Sequence, residues 1–342
     1  MIPIFDGHND ALTRADHARL ATGREGGHLD LPRMREGGMR GGIFALFSPS
    51  PGEEEHEGQA FGGSPFSEPL AAPVAHAVAA AEATAAAGRL FELERAGELS
   101  VARRIEDVAA ALADGAPPVA GLHLEGAEAI APGLEALPAW HAMGLRSLGP
   151  VWSRPNAFAT GVQFVMPSSP DIGPGLTDAG VALVKACAEL GILVDLSHLN
   201  ERGFWDVARL EAGPLVASHS GAHAVAEASR NLTDPQLDAI AATGGLVGIV
   251  YATAFIRPDF ADDPDTPLSV IVDHARHVAE RIGVEHVALG SDFDGATIPA
   301  PLGDAAGLPR LLDALRAAGF TEPELEKIAW HNWRRVLATW WH

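Results

Sequence analysis

The 342-residue sequence predicts an α/β fold built from parallel strands, and three patterns support this prediction. Short apolar runs of strand length recur along the chain, the segments between them have helical spacing, and polar residues directly follow several of the runs. Alternating strands and helices are typical of parallel βαβ units, whose strand ends meet at one edge. We therefore expect a single (β/α)8 TIM barrel that covers residues 1–342 as one domain, with an open, doubly wound sheet as the alternative.

Eight apolar runs are the candidate strands. In chain order they are MIPIFDGHND, GGIFALFSP, PPVAGLHLEG, GLRSLGPVW, GILVDLSHLN, GPLVASHSGAH, GGLVGIVYATAF and EHVALGSDFDG. The segments between them, such as LTDAGVALVKACAELG and DAAGLPRLLDALRAAGF, carry Asp or Thr near their starts and Gly near their ends, as helices do. Eight such units suit a closed barrel.

Three insertions rich in Pro interrupt this alternation. They are residues 49–73 after the second strand, NAFATGVQFVMPSSPDIGPG after the fourth and IRPDFADDPDTP after the seventh. Each follows the carboxyl end of a strand, so we expect all three at the C-terminal mouth of the barrel. We expect the first insertion to form a solvated loop, and the alternative is a lid over the mouth.

Composition and charge narrow the class of partner. A formal net charge of −21 disfavours nucleic acid and anionic membranes, which leaves a small-molecule substrate. The single cysteine, Cys187, rules out an intramolecular disulfide and suits a reducing compartment. The N-terminus does not resemble a leader and no long apolar stretch is present, so we expect a cytoplasmic protein. The oligomeric state is open, a homodimer included.

Histidines and carboxylates at the strand ends predict a metal centre. The candidate ligands are His8, Asp10, Glu125, His198, His219 and Asp292. In FDGHND, strand alternation puts His8 and Asp10 on one face, although a helix-capping Asp10 and a solvated His8 are the alternative. Imidazoles combined with carboxylates suit zinc better than calcium or magnesium. Because one carboxylate can bind two ions, Glu125 in HLEG is the natural bridge of a two-zinc site.

These motifs also carry a family resemblance. FDGHND, HLDLPRMREGGMRGGIFA, GLHLEGAEAI, VDLSHLN, ASHSGAHAV, SRNLTDPQLDAI and GSDFDG, in this order, resemble the membrane (renal) dipeptidase family. Members of this family are zinc peptidases of the amidohydrolase superfamily, and the chain is similar to its soluble, bacterial-type members. The resemblance implies that His8 and Asp10 bind one zinc ion, that His198 and His219 bind the other, and that Glu125 bridges the two.

The resemblance also implies roles for two residues outside the ligand set. Asp292 is implied as the catalytic acid/base, with Asp294 as the second choice, and Arg230 as the group that binds the free carboxylate of the substrate. A planar guanidinium suits a carboxylate. Two zinc ions would lower the pKa of water to about 7, so that a bridging hydroxide attacks the peptide carbonyl. Tyr251 would line the substrate pocket, or else pack at the barrel rim.

One position departs from the family pattern. Renal-type members carry a substrate-contacting histidine at the end of the fourth strand, where GLRSLGPVWSRPN has Trp152. An indole N–H can donate a hydrogen bond but cannot accept a proton. We expect Trp152 to contact the substrate and to change the substrate preference but not the reaction class, with Arg154 or Asn156 as compensating donors.

The sequence therefore predicts a binuclear zinc dipeptidase. The alternative on the same scaffold is an amidohydrolase that acts on an N-acyl amino acid, a lactam or a lactone. The alternative from another class is a non-catalytic barrel that binds a small ligand.

Overall fold

The computed structural model describes residues 1–51 and 61–341. The strands are β1 (Ile4–Asn9), β2 (Met39–Leu46), β3 (Phe66–Ser67), β4 (Ser100–Val101), β5 (Val119–Glu125), β6 (Leu145–Gly149), β7 (Val165–Met166), β8 (Leu193–Val194), β9 (Val216–Ser220), β10 (Leu246–Ile249) and β11 (Val287–Leu289). The helices are α1 (Leu31–Gly37), α2 (His76–Arg95), α3 (Ile105–Ala110), α4 (Leu137–Met143), α5 (Asp178–Leu190), α6 (Glu201–Arg209), α7 (Asp234–Ala242), α8 (Thr253–Ile256), α9 (Ser269–Ile282), α10 (Leu308–Ala317), α11 (Glu322–Glu326) and α12 (Asn332–Trp340). Each of the eight predicted runs contains a strand, and β3, β4 and β7 are additional two-residue strands.

The eight main strands form two parallel sheets. The larger sheet has the order β1-β2-β5-β6-β8, with β4 paired to β5, and the smaller sheet has the order β9-β10-β11. Strands β2 and β5 pair without a register shift from Gly41 opposite Val119 to Leu46 opposite Leu124. The protein is thus an α/β fold whose larger sheet forms a half-barrel. The sheet pairings of the described residues do not confirm the predicted closure of all eight strands into a complete barrel.

Single parallel bridges connect the two sheets at both seams. Asn9, the last residue of β1, pairs with Phe293, which follows β11. Asp195, which follows β8, pairs with Val216 of β9. Residues that follow β1, β8, β9 and β11 are therefore near one another.

The C-terminal helical segment packs against the first strand. All six residues of β1 are buried, and the Phe5 ring lies 5.8 Å from the Trp330 ring and 5.9 Å from the Trp333 ring. A Cβ at Gly7 would approach Trp333 to 2.4 Å, so only glycine allows this contact. Because successive strand residues point to opposite faces, His8 points away from the helix.

Helix α5 illustrates how local signals set the helix ends. It begins after Thr177, whose hydroxyl accepts a hydrogen bond from the Gly180 N–H, and it ends at Gly191 with φ +70°. These are the capping residues that the sequence pattern predicts. Among the described helices, none has the combination of length and hydropathy required to span a bilayer.

The three insertions contact one another. Strand β3 of the first pairs antiparallel with β7 of the second, and Gly62 of the first forms a bridge with Ala261 of the third. Phe61, Phe164 and Phe255 add ring contacts with centroid distances of 5.2–5.7 Å. Within the first insertion, residues 52–60 lie outside the described part of the chain, so the choice between loop and lid is not addressed there.

Candidate metal centre

His8, Asp10 and Glu125 form a first cluster of ligand atoms. His8 lies in β1, Asp10 follows it, and Glu125 is the last residue of β5. The Nε2 atom of His8 is 3.4 Å from Asp10 Oδ2 and 3.5 Å from Glu125 Oε2. All three side chains are buried. The opening segment of the chain therefore converges with a carboxylate from a different strand.

His198 and His219 form a second cluster with the same glutamate. Glu125 Oε1 lies 3.2 Å from His198 Nε2 and 3.7 Å from His219 Nε2, and the two imidazole nitrogens are 3.2 Å apart. His219 belongs to β9, and His198 follows β8 in the left-handed region with φ +66°. Few non-glycine residues adopt this conformation, and those that do are common at functional sites.

The carboxylate of Glu125 lies between the two clusters. Its Oε2 atom is directed to His8 and its Oε1 atom to His198. Burial opposes ionisation, but the adjacent His8 and His198 outweigh it and hold the pKa of Glu125 well below its usual range. An ionised carboxylate in this place offers one oxygen to each cluster.

Serine hydroxyls orient the imidazoles of the second cluster. Ser153 Oγ is 2.8 Å from His198 Nδ1, and Ser218 Oγ is 2.8 Å from His219 Nδ1. Since Ser218 donates its proton to Asp195, it accepts one from His219, which leaves the electron pair of that ring on Nε2. Burial lowers the pKa of His198 to about 4 and that of His219 well below its usual range. Both rings are neutral at pH 7, as metal ligands must be.

His8 has a different environment. Neither of its ring nitrogens has a hydrogen-bond partner among the residues that the structure describes. Burial disfavours a charged ring, but the charges of Glu125 and Asp10 outweigh burial and raise the pKa of His8. Burial and the charge of Glu125 also raise the pKa of Asp10. A bound cation would give His8 the missing partner and compensate both carboxylates.

Asp292 lies beside both clusters. It follows β11 with φ +60°, and ligand atoms of His8, His219 and Asp292 all lie within 4.8 Å of one another. Burial, followed by the charge of Asp10, raises the pKa of Asp292 to about 7. With protein groups alone, this carboxyl group is poised to gain or lose a proton near neutral pH.

Asp294, two positions further on, is engaged elsewhere. Its Oδ2 atom accepts a hydrogen bond from Arg24 at 2.8 Å, and its Oδ1 atom accepts one from the His28 backbone N–H at 2.6 Å. Its side chain is fully buried. Of the two aspartates considered for proton transfer, Asp292 is the one whose carboxylate adjoins the clusters.

Arg230 lies against the second cluster with one donor free. Nη1 donates to Ser220 Oγ and Nη2 to the His219 carbonyl, both at 2.9 Å. Nε has no partner within the described part of the chain. Burial lowers the pKa of Arg230 to about 10, with the charge of Asp292 acting against it, so the group is still a cation at neutral pH. A buried cation with a free donor can bind an anion.

Trp152 packs on a ligand histidine. Its ring is 5.6 Å from the His198 ring, 5.1 Å from Phe47 and 5.9 Å from Phe164. Phe164 is itself 6.3 Å from the His198 ring. The partly exposed rings of Trp152 and Phe164 thus lie beside His198, and Phe47 packs on Trp152.

Tyr251 lies deeper. It follows β10, is fully buried, and its hydroxyl has no partner among the described residues. Its ring is 5.7 Å from Phe293, the residue after Asp292. Tyr251 therefore packs behind the turn that carries Asp292.

The two compensating donors considered for Trp152 have partners of their own. Arg154 donates from Nε to Glu128 at 2.7 Å, and its guanidinium carbon lies 5.4 Å from the Trp152 ring. The Asn156 amide donates to the Pro150 carbonyl at 2.9 Å. Arg154 thus contacts the indole as a cation–π partner.

Sequence reasoning did not identify Ser153, Ser218 and Asp195, which orient the ligand histidines. A signal exists for two of them, because Ser218 directly precedes His219 and Asp195 directly follows β8. Ser153 gives no such signal, since its partner His198 is 45 residues away in the sequence.

The donor set fits a pair of zinc ions. One group of ligand atoms comes from His8, Asp10 and Glu125, and a second from Glu125, His198 and His219, each group lying within 4.8 Å. Imidazole nitrogens combined with carboxylate oxygens are typical zinc ligands.

Residues 1–340 match the model of the membrane dipeptidase family, peptidase family M19. A metallo peptidase from Rhodobacter sphaeroides, solved with a phosphinate mimic of the dipeptide L-Ala-D-Ala, is 47% identical with a TM-score of 0.96 and 99% of each chain covered. The dipeptidase AC, a family M19 metallo peptidase, is 46% identical with a TM-score of 0.93 over 100% of this chain and 99% of the other. An uncharacterized protein in the pqqA 5' region of Klebsiella pneumoniae is 50% identical over 219 residues, 64% of this chain and 81% of that protein. The chain therefore belongs to the membrane dipeptidase family, peptidase family M19, and is a metal-dependent dipeptidase.

Proposed function

We propose that the protein is a binuclear zinc dipeptidase that hydrolyses the peptide bond of dipeptides. The observation that carries this proposal is the position of Glu125, whose two oxygens are directed to two different sets of ligand atoms. The phosphinate dipeptide mimic bound by the Rhodobacter sphaeroides relative, at 47% identity, supports the substrate class.

In this proposal His8 and Asp10 hold one zinc ion, His198 and His219 hold the other, and Glu125 bridges them. When bound, the ions supply a water of lowered pKa and polarise the peptide carbonyl. The Ser218 hydroxyl holds His219 through Nδ1, so that the Nε2 atom on the side of Glu125 would be free to bind a metal ion.

Asp292 acts as the general acid/base. It accepts the proton of the attacking water and returns it to the leaving amine, which needs a carboxyl group that titrates near the working pH. Support comes from the pKa of about 7 that burial and Asp10 give this side chain.

Arg230 binds the free C-terminal carboxylate of the substrate. Two of its donor nitrogens are held by Ser220 and the His219 carbonyl, so the guanidinium has little freedom while Nε is available. A carboxylate held at a fixed distance from the metals limits the substrate to two residues. Trp152 lines the substrate pocket, whereas Tyr251 contributes to the pocket only by supporting the turn that carries Asp292.

The proposal also covers the domain organisation, the cellular location and the oligomeric state. We infer a single domain over residues 1–342 in which the eight main strands close into a (β/α)8 barrel, and the bridges Asn9–Phe293 and Asp195–Val216 support closure. A reducing cytoplasm suits the buried thiol of Cys187. The oligomeric state is open, and the molecular mass from analytical ultracentrifugation tests whether the protein is a homodimer.

The test combines zinc analysis with a substrate panel. We expect about two zinc ions per chain, and faster hydrolysis of dipeptides than of dipeptide amides, N-acyl amino acids, lactams or lactones. Faster hydrolysis of N-acyl amino acids, a lactam or a lactone would instead assign the amidohydrolase reaction. No hydrolysis of any of these by zinc-loaded protein would assign a ligand-binding role.

A further inference from the structure

Arg24 is a buried arginine outside the proposed ligand and substrate-binding residues. It donates to the Ala11 backbone carbonyl, to the Leu29 carbonyl at 2.9 Å, and to Asp294 Oδ2 at 2.8 Å. Both charged side chains are fully buried. Ala11 directly follows Asp10, and Asp294 lies two positions after Asp292, so one guanidinium contacts both segments that carry site carboxylates.

The turn after β11 has an unusual backbone. Asp292 and Asp294 both have positive φ, +60° and +70°, which costs energy for a non-glycine residue. Such a conformation persists only where the surroundings hold it. Asp294 supplies two such restraints besides Arg24, because its Oδ1 accepts from the His28 N–H and its own N–H donates to His28 Nδ1 at 3.0 Å.

The same turn is bonded directly to the end of β1. The Asp292 N–H donates to the His8 carbonyl at 3.0 Å, and the Asp10 N–H donates to the Phe293 carbonyl at 2.8 Å. A Cβ at Gly295 would lie 2.3 Å from Asp10 Oδ2 and 2.5 Å from Asp292 Oδ1. The Gly295 backbone therefore lies directly against both carboxylates, with no space for a side chain between them.

We propose that Arg24 and Asp294 are positioning residues that clamp the Asp10 segment to the Asp292 turn. The clamp, defined as the ion pair together with the Arg24 bond to Ala11, sets the distance between a metal ligand and the proton-transfer group. This assignment rests on the proposed function for the roles of Asp10 and Asp292. It gives Asp294 a role other than proton transfer.

The decisive variants are Arg24→Met, Arg24→Lys and Asp294→Asn, compared with Arg146→Met. Arg146 is the matched control because it is also buried and donates only to backbone carbonyls, those of Arg103, His141 and Leu145, at 2.7–2.9 Å. The measurements are kcat, KM, zinc affinity and the unfolding midpoint of each protein.

We expect Arg24→Met to lower kcat and the affinity of the proposed zinc site at His8 and Asp10 by about 10–100-fold with little change in KM, as for other residues that orient metal ligands. Arg24→Lys keeps the charge beside Asp294 and should recover part of the loss. Arg146→Met should lower the unfolding midpoint with kcat and zinc affinity unchanged.

Equal losses of kcat and zinc affinity in Arg24→Met and Arg146→Met would overturn the clamp, since they would reflect stability alone. So would wild-type values in Asp294→Asn, which keeps the shape of the side chain and remains informative if Arg24→Met does not fold. If the wild type hydrolysed no dipeptide, the proposed function would fail while zinc affinities still decided the clamp.

Discussion

The two halves of the metal centre are oriented by different means. We call His198 and His219 the imidazole half, and His8, Asp10 and Asp292 the carboxylate half. In the imidazole half, serine hydroxyls hold both rings by Nδ1. In the carboxylate half, His8 has no such bond among the described residues, and its neighbours are fixed through the backbone and the clamp.

This difference has an electrostatic consequence. Burial keeps the imidazole half neutral, with the pKa of His198 lowered to about 4. In the carboxylate half, burial and then the charges of neighbouring carboxylates raise the pKa of Asp10 and bring that of Asp292 to about 7. We infer that the imidazole half is ready for a metal ion, whereas metal binding in the carboxylate half releases protons.

Glu125→Gln should have the largest effect, because Glu125 belongs to both halves. An amide nitrogen cannot bind a metal, so only one oxygen remains for two ions. We expect zinc content to fall from about two to about one per chain, and the rate to fall by more than the roughly 10²–10⁴-fold that a lost acid/base would cause. Zinc analysis and turnover on one dipeptide measure both, with Glu94→Gln as control, because Glu94 is a half-buried carboxylate outside the metal centre that pairs with Arg103. A single tight metal in active wild type, unchanged in the variant, would contradict the bridge.

Asp292→Asn tests whether the carboxylate half supplies the proton. The amide keeps the shape of the side chain but cannot carry a proton between water and amine, so we expect a loss of about 10²–10⁴-fold in kcat. Zinc content should be largely retained. Near-normal turnover in a metal-replete variant would move proton transfer to another group.

Arg230→Met tests the anion site attached to the imidazole half. Removing one partner of a desolvated charge pair typically costs about 2–5 kcal/mol, which is about 30-fold or more in selectivity. The measurement is the ratio of dipeptide to dipeptide-amide hydrolysis, with Arg230→Lys as the control that keeps the charge without the planar group. Equal rates on both substrates in wild type would remove carboxylate binding from the proposal.

Ser218→Ala tests the hydrogen bonds that distinguish the imidazole half. Without the hydroxyl, His219 loses its fixed orientation, and we expect zinc affinity or activity to fall by about 10–100-fold. Ser147→Ala is the matched control, because Ser147 lies 2.9 Å from Nδ1 of His123, which is not in the proposed ligand set. If both variants behaved alike, orientation by Ser218 would not distinguish the halves.

Trp152→Phe should have the smallest effect, because it keeps most of the ring surface beside His198 and deletes only the N–H donor. We expect less than about a tenfold change in turnover, whereas a uniform fall of about 10²–10³-fold across all dipeptides would show that the indole N–H binds the oxyanion. A changed order of dipeptide preference at a similar top rate would indicate pocket shaping instead. Unchanged rates and preferences in both Trp152→Phe and Trp152→Ala would leave only packing.

The sequence predicted the main strands and helices better than it predicted what supports the site. Apolar runs, five of which end in His, Asp or Glu, located the eight main strands because burial and strand ends leave local patterns. The two-residue strands β3 and β7 have no such pattern, since they exist only by pairing with each other. Their partner lies in another insertion, which a local pattern cannot specify.

Arg24 and Asp294 show the same limit at the site. Asp294 was considered for proton transfer because it lies next to Asp292 in GSDFDG. Its ion-pair partner is 270 residues away, so the sequence alone did not reveal the clamp. Trp152, in contrast, was expected near the substrate because the family resemblance places a substrate-contacting histidine at the end of that strand, and its ring lies beside that of His198.

The seam between β1 and β11 joins two distant parts of the chain. The Ser291 N–H donates to Asp6 across a sequence separation of 285 residues. Closing so long a loop carries an entropic cost that must be met before the contact exists, and contacts of this range slow folding. Asp292 meets the first strand at the same seam, so a nascent chain that ends soon after His219 carries the proposed metal ligands without the proposed proton-transfer group. The carboxylate half can therefore assemble only after residue 292 has been synthesised.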